Sequence, residues 1–174
     1  MKSVIKLSVL FSLVGFAFFY AWLKTYNMSS DYFEFAEAQA KTENYTTALK
    51  GMNKLELRRD DVYLGGYQQV IETWEEAVIG FKPDFYYEAR NRVGVMLGKL
   101  NEEELMSFIE IYVELDMRYV PEAAAILLSR ATLNGDIEVA TEMDEFLQEA
   151  FPRFYRENVQ TVELALVTPN EGEE

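Results

Sequence analysis

Hydrophobic and polar positions divide the chain sharply. Residues 7–23 carry no charge, Lys2 and Lys6 precede them, and Lys24 closes them. At about 1.5 Å per residue this run is roughly 26 Å long, and including residues 4–6 brings it to about 30 Å, the thickness of a hydrocarbon core. Tyr20 and Trp22 stand at one end, where amphipathic rings favour the membrane interface. The pattern predicts a transmembrane signal-anchor over 1–24, in contact with the bilayer through residues 4–23. A cleaved signal peptide is the rival reading, because Gly15 and Ala17 flank Phe16. Against it, the apolar run continues to Trp22, and cleavage would leave a sticky tail. A buried core helix suits the flanking lysines less well. No Cys follows, which excludes a lipoprotein anchor.

Beyond Lys24 the pattern changes to helical periodicity. The reading is a linker over 25–29, a helical domain over 30–159, and a C-terminal segment with an acidic tail over 160–174. Ser29 or Ser30 caps a first helix running to Lys41, with Tyr32, Phe35 and Ala36 on one face. Asn44 starts a second, with Ala48, Leu49, Met52 and Leu55, ending near Arg58–Asp61. A third carries Leu64, Tyr67, Val70, Ile71, Trp74, Ala77 and Val78; Gly65 and Gly66 weaken its first turns, and Gly80–Pro83 breaks it. Asp84 caps a fourth reaching Lys99. Asn101 with Glu104 forms a capping box for a fifth, whose stripe is Leu105, Phe108, Ile109, Tyr112 and Leu115. Pro121 opens a sixth, closed by Asn134-Gly135. Asp136 caps a seventh bearing Ile137, Ala140, Met143, Phe146 and Leu147, and Pro152 starts a last segment to Val159. The fold class is all-α.

Composition narrows the chemistry. Lys2, Lys6 and Lys24 are three of 16 basic residues, and all 30 acids follow them, so the domain carries 13 basic residues against 30 acidic. That balance argues against nucleic acid as a partner. Cys and His are both absent. Disulfides, thiolate chemistry, His-based nucleophile systems and nearly all zinc, copper and haem sites go with them. The clusters Asp60-Asp61, Glu75-Glu76 and Glu102–Glu104 are sequence neighbours, which point about 100° apart on a helix and seldom converge. No catalytic, metal-binding or cofactor-binding residues are assigned, and no cofactor is expected. A wall-cleaving enzyme working through one Glu is the remaining enzymatic alternative, though its Glu-Ser and Gly-Leu-Met-Gln segments are missing.

Helices in pairs with tight turns prompt a search for a period. Ala124, Leu127, Leu128, Ala131, the Gly135-Asp136-Ile137 turn, Ala140, Leu147 and Pro152 form one unit. Tyr32, Phe35, Ala36, Tyr45, Ala48, Met52 and Leu55 match the same template, and Gly94, Leu97 and Met106 match it more loosely. This pattern resembles the tetratricopeptide repeat, which implies stacked antiparallel hairpins in a solenoid; an antiparallel bundle is the alternative. The resemblance implies a ligand groove presenting Phe33, Glu37, Asn91, Val95, Ala125 and Ser129. The Lys/Asn pattern that grips a C-terminal carboxylate is absent.

Aromatic excess points the same way. Phe85-Tyr86-Tyr87 covers consecutive helix faces, so at least one ring points outward, and Tyr86 and Tyr87 join the partner-binding candidates. Trp74, Phe151, Phe154 and Tyr155 are further aromatic candidates, and Arg58, Arg59, Arg90 and Arg92 are charged ones. In the apolar run, Ser8, Ser12 and Gly15 give a small-residue packing face. The expectation is a non-enzymatic scaffold or assembly factor for a membrane or envelope complex, or a permanent accessory subunit of one. Protein partners, themselves membrane proteins, follow. Lysine placement puts the N-terminus in the cytoplasm and the domain on the periplasmic or lumenal side of an inner or other energy-transducing membrane.

Overall fold

The computed structural model describes residues 2–52, 62–77 and 81–159. Among them every regular element is helical: α1 (Lys2–Lys41), α2 (Tyr45–Lys50), α3 (Tyr67–Glu75), α4 (Asp84–Lys99), α5 (Glu102–Leu115), α6 (Val120–Asn134), α7 (Ile137–Ala150), α8 (Pro152–Phe154), and a π turn over Tyr155–Val159. The chain forms two compact units, residues 1–96 and 97–174.

α1 is one unbroken helix of 40 residues. The linker expected at 25–29 is therefore helical, and Ser29 and Ser30 lie inside a helix rather than at its cap. The physical reason is local. No Gly or Pro occurs from Phe16 to Lys50, and the Ser29 hydroxyl turns back onto its own helix, donating to Thr25 O at 2.7 Å with Tyr26 O at 3.1 Å. The helix stops where Glu43 takes a left-handed φ of 65°. There Asn44 N–H donates to Gln39 O at 3.0 Å, satisfying a terminal carbonyl.

α2 is shorter than its periodicity suggests. Gly51, at φ 81°, ends it after Lys50. Behind that stop is a close crossing of two backbones. A Cβ on Gly66 would lie 2.5 Å from Ala48 O, and one on Gly51 2.7 Å from Gly66 N. Met52 N–H donates to Leu64 O at 2.9 Å across the same crossing. Gly65 and Gly66 thus precede α3 instead of weakening it, and Leu64 lies outside that helix. Gly66 is the N-cap, its N–H donating to Gln69 Oε1 at 2.7 Å. α1, α2 and α3 pack on one another, burying Ala36, Ala48, Leu49, Tyr67, Val70 and Trp74 completely. The expectations placed on Leu55, Arg58, Arg59, Asp60, Asp61, Val78, Gly80 and residues 160–174 lie outside the described residues.

In the second unit α6 packs on both α5 and α7. Ala123, Ala124 and Ala131 are buried along α6, where small side chains permit close helix approach. The capping box forms as read: Glu104 N–H donates to Asn101 Oδ1 at 2.9 Å, and Asn101 N–H to Glu104 Oε2 at 2.8 Å. Gly135 closes α6 in the left-handed region, and Asp136 Oδ1 accepts from Val139 N–H. Two stripe residues depart from the reading: Leu115 is 71% exposed and Ile137 80%. Each is the terminal residue of its helix, past the packed stretch.

Candidate functional site

The first unit holds an aromatic junction in the middle of α1. Trp22, Tyr26, Ser29, Phe33 and Ala36 recur at helical spacing along one face. Trp22 packs edge-on to Trp74 at 6.1 Å and tilted against Tyr26 at 5.3 Å. Phe85 of α4 closes the group, 5.3 Å from Tyr26, 5.7 Å from Phe33 and 6.5 Å from Trp74. Such pairs each contribute about 0.5–1.5 kcal/mol beyond burial. Both indoles are anchored: Trp74 Nε1 donates to buried Ser29 Oγ at 2.9 Å, and Trp22 Nε1 to Phe81 O at 3.0 Å. N-terminal to this junction, α1 is long and apolar enough to cross a membrane, and its apolar window is entirely unburied. Phe16 is 69% exposed and Phe19 60%.

One turn further along α1, Glu37 is the hub of a polar group. Its Oε1 accepts from Tyr67 Oη at 2.6 Å and lies 2.9 Å from Arg92 Nε; Oε2 accepts from Arg92 Nη2 at 3.3 Å. Arg92 also reaches Glu88 at 3.2 Å. Burial, followed by the hydrogen bond to Glu37, pushes the Tyr67 phenol well above its ordinary pKa.

The expected partner-binding residues divide accordingly. Phe33 and Glu37 are spent on contacts within the unit, Phe33 stacking edge-on against Tyr67 at 5.9 Å. Tyr86 is 2% exposed and lies beneath Lys82 Nζ, 4.4 Å from the ring centroid. It offers no outer surface, and neither does Trp74. Tyr87, Asn91 and Val95 are exposed on α4, and Arg90 reaches the Tyr86 ring at 5.9 Å. In the second unit Ser129 is exposed and Ala125 half-buried on α6. Ser8, Ser12 and Gly15 are exposed on α1, with nothing within 4 Å of a Cβ built at Gly15.

The second unit carries a cleft of its own between α6 and α7, about 400 Å³ in volume, lined by Leu128, Ala131, Ile137, Ala140, Asp144 and Tyr155 among others. Both carboxylates in its lining are hydrogen-bonded: Asp144 accepts from Tyr155 Oη at 2.7 Å and from Gln148 Nε2 at 2.6 Å, and Asp136 from Val139 N–H at 3.2 Å. Among the described residues no cluster of three or more metal-ligating side chains occurs.

Sequence reasoning missed the junction because the assumed linker at 25–29 cut its stripe in two. The signal was present in the 22-26-29-33-36 spacing, which a single continuous helix makes one face. Compared with known proteins, the chain matches no family model, no curated protein and no solved structure.

Proposed function

We propose that this protein is a membrane-anchored, non-enzymatic interaction scaffold or assembly factor for a membrane or envelope complex. One observation carries the reading: a single helix is bare and apolar over its first half and is locked into a folded unit over its second. A helix in water does not leave a row of Phe, Leu and Val side chains uncovered at such length, whereas a bilayer solvates them. Lys2 and Lys6 before the segment favour an N-terminus on the cytoplasmic side, with the acidic domain across the membrane. A chain lacking both His and Cys has few routes to catalysis, and a tether raises the effective concentration of weak contacts.

Stacked hairpins of tetratricopeptide type belong to this proposal. Its support is that the template residues Ala124, Leu127, Ala131 and Leu147 are buried where α6 meets its neighbours. Exposed Tyr87, Asn91 and Val95 on α4, and Ser129 on α6, are the contact candidates. A second reading, a permanent subunit, draws on Ser8, Ser12 and open Gly15, which share one face of α1 and would admit a neighbouring helix closely.

Crosslinking mass spectrometry in native membranes, followed by mild detergent purification, tests both. Substoichiometric capture of one complex supports the assembly factor, and constant one-to-one recovery supports the subunit. Release of the full chain by alkaline carbonate would overturn the anchor.

A further inference from the structure

Phe81 is 79% exposed, yet its backbone is held in place by the Trp22 indole. With Phe18, Phe19 and Trp22 it lines an apolar cleft of about 480 Å³. Three of these four residues belong to the apolar segment itself, so whatever solvates that segment also meets Phe81. From Ile5 to Trp22 the helix rises roughly 26 Å, which puts Trp22 and its partner at the edge of a hydrocarbon core about 30 Å thick. Lys24 follows Trp22 by two residues, matching the headgroup phosphates that begin at that level.

We propose that Phe81 is a second membrane contact: it enters the boundary between acyl chains and headgroups, and the cleft behind it seats a phospholipid acyl chain. The inference rests on the anchored reading above. The bilayer is the occupant because the cleft is continuous with the lipid-facing surface of α1 and offers no polar group to a peptide. The folded unit is thereby held to the membrane at two points, the helix and the loop.

The absence of native cysteine makes the test direct. Single variants Phe16→Cys, Phe81→Cys and Lys41→Cys of the full chain are nitroxide-labelled in phosphatidylcholine vesicles. Collision with oxygen, which partitions into lipid, is compared with collision with a water-soluble nickel chelate. The expected result is oxygen-dominated collision at 16 and 81 and nickel-dominated collision at 41. Nickel-dominated collision at 81 with oxygen-dominated collision at 16 overturns the loop contact and leaves the anchor standing. A label at 81 shielded from both reagents means protein covers it, and also overturns the proposal. Nickel-dominated collision at 16 overturns the anchor and the loop contact together. Because Phe81 is largely exposed, its replacement does not remove core packing.

Discussion

The Trp74 indole donates to Ser29 Oγ at 2.9 Å, and the same hydroxyl donates onward to the carbonyl of Thr25. A tryptophan on α3 is thus tied to α1 through a fully buried serine. Ser29→Ala leaves the indole N–H without its acceptor and is expected to destabilise by about 1–3 kcal/mol. Adding Trp74→Phe in that background should cost clearly less than Trp74→Phe alone, because the partners share one interaction. Urea titrations of the four chains in detergent give the cycle; additive effects would mean that the hydrogen bond carries no coupling.

Two glycine substitutions should act in opposite directions. A Cβ at Gly66 meets three backbone atoms that cannot move aside, Ala48 O nearest at 2.5 Å, so Gly66→Ala is expected to cost about 3 kcal/mol. Gly94, inside α4 with nothing within 4 Å of its Cβ position, should tolerate Ala with a gain of about 1 kcal/mol. Thermal melts of the two variants give the contrast, and equal effects would contradict the close backbone crossing.

Tyr67 should make stability fall at high pH. Its folded-state pKa is raised by burial and by Glu37 above the ordinary value of about 10. Below that pH both states hold the proton and its contribution is intact. Above it the unfolded chain ionises while the folded phenol does not, so stability drops as pH rises. Urea midpoints at about pH 9 and pH 11 should therefore diverge in the parent chain and diverge less in Tyr67→Phe.

In the second unit, Arg130 donates to the carbonyls of Gly98, at 2.7 Å, and Leu100. These are free carbonyls at a helix C-terminus, where a cation also meets the negative end of the dipole. Arg130→Met should cost about 1–2 kcal/mol. Asn101→Ala, which opens the capping box of α5, should cost about 1 kcal/mol. Both are readable in the same denaturation assay.

Helix starts and stops in the second unit were legible because each is written in local chemistry. Asn101 with Glu104, Asn134-Gly135, Asp136 and Pro152 act within one turn of themselves. The first unit was less legible, since its boundaries depend on distant chain. Gly51 ends α2 because Gly66 crosses it, and nothing near position 51 announces that partner. The same holds for Tyr86. Three adjacent aromatics predict that one faces outward, and Tyr87 does, while nothing local to the triplet marks Tyr86 as the ring that is buried. Glu37, expected in a ligand groove, also accepts from Tyr67, 30 residues away, a contact its sequence neighbours do not announce.

The uninterrupted α1 has a mechanical consequence. A helix of 40 residues is about 60 Å long, twice the thickness of a hydrocarbon core, and it is unbroken from Lys2 to Lys41. From Trp22 to Lys41 it rises roughly 28 Å, so with Trp22 at the edge of a bilayer a tilt of about 20° would carry its far end sideways by roughly 10 Å. Anchored in a bilayer, such a rod is a lever: a change in membrane thickness that alters its inclination becomes a displacement of the folded unit. A flexible tether of equal length would absorb that motion before it reached a partner.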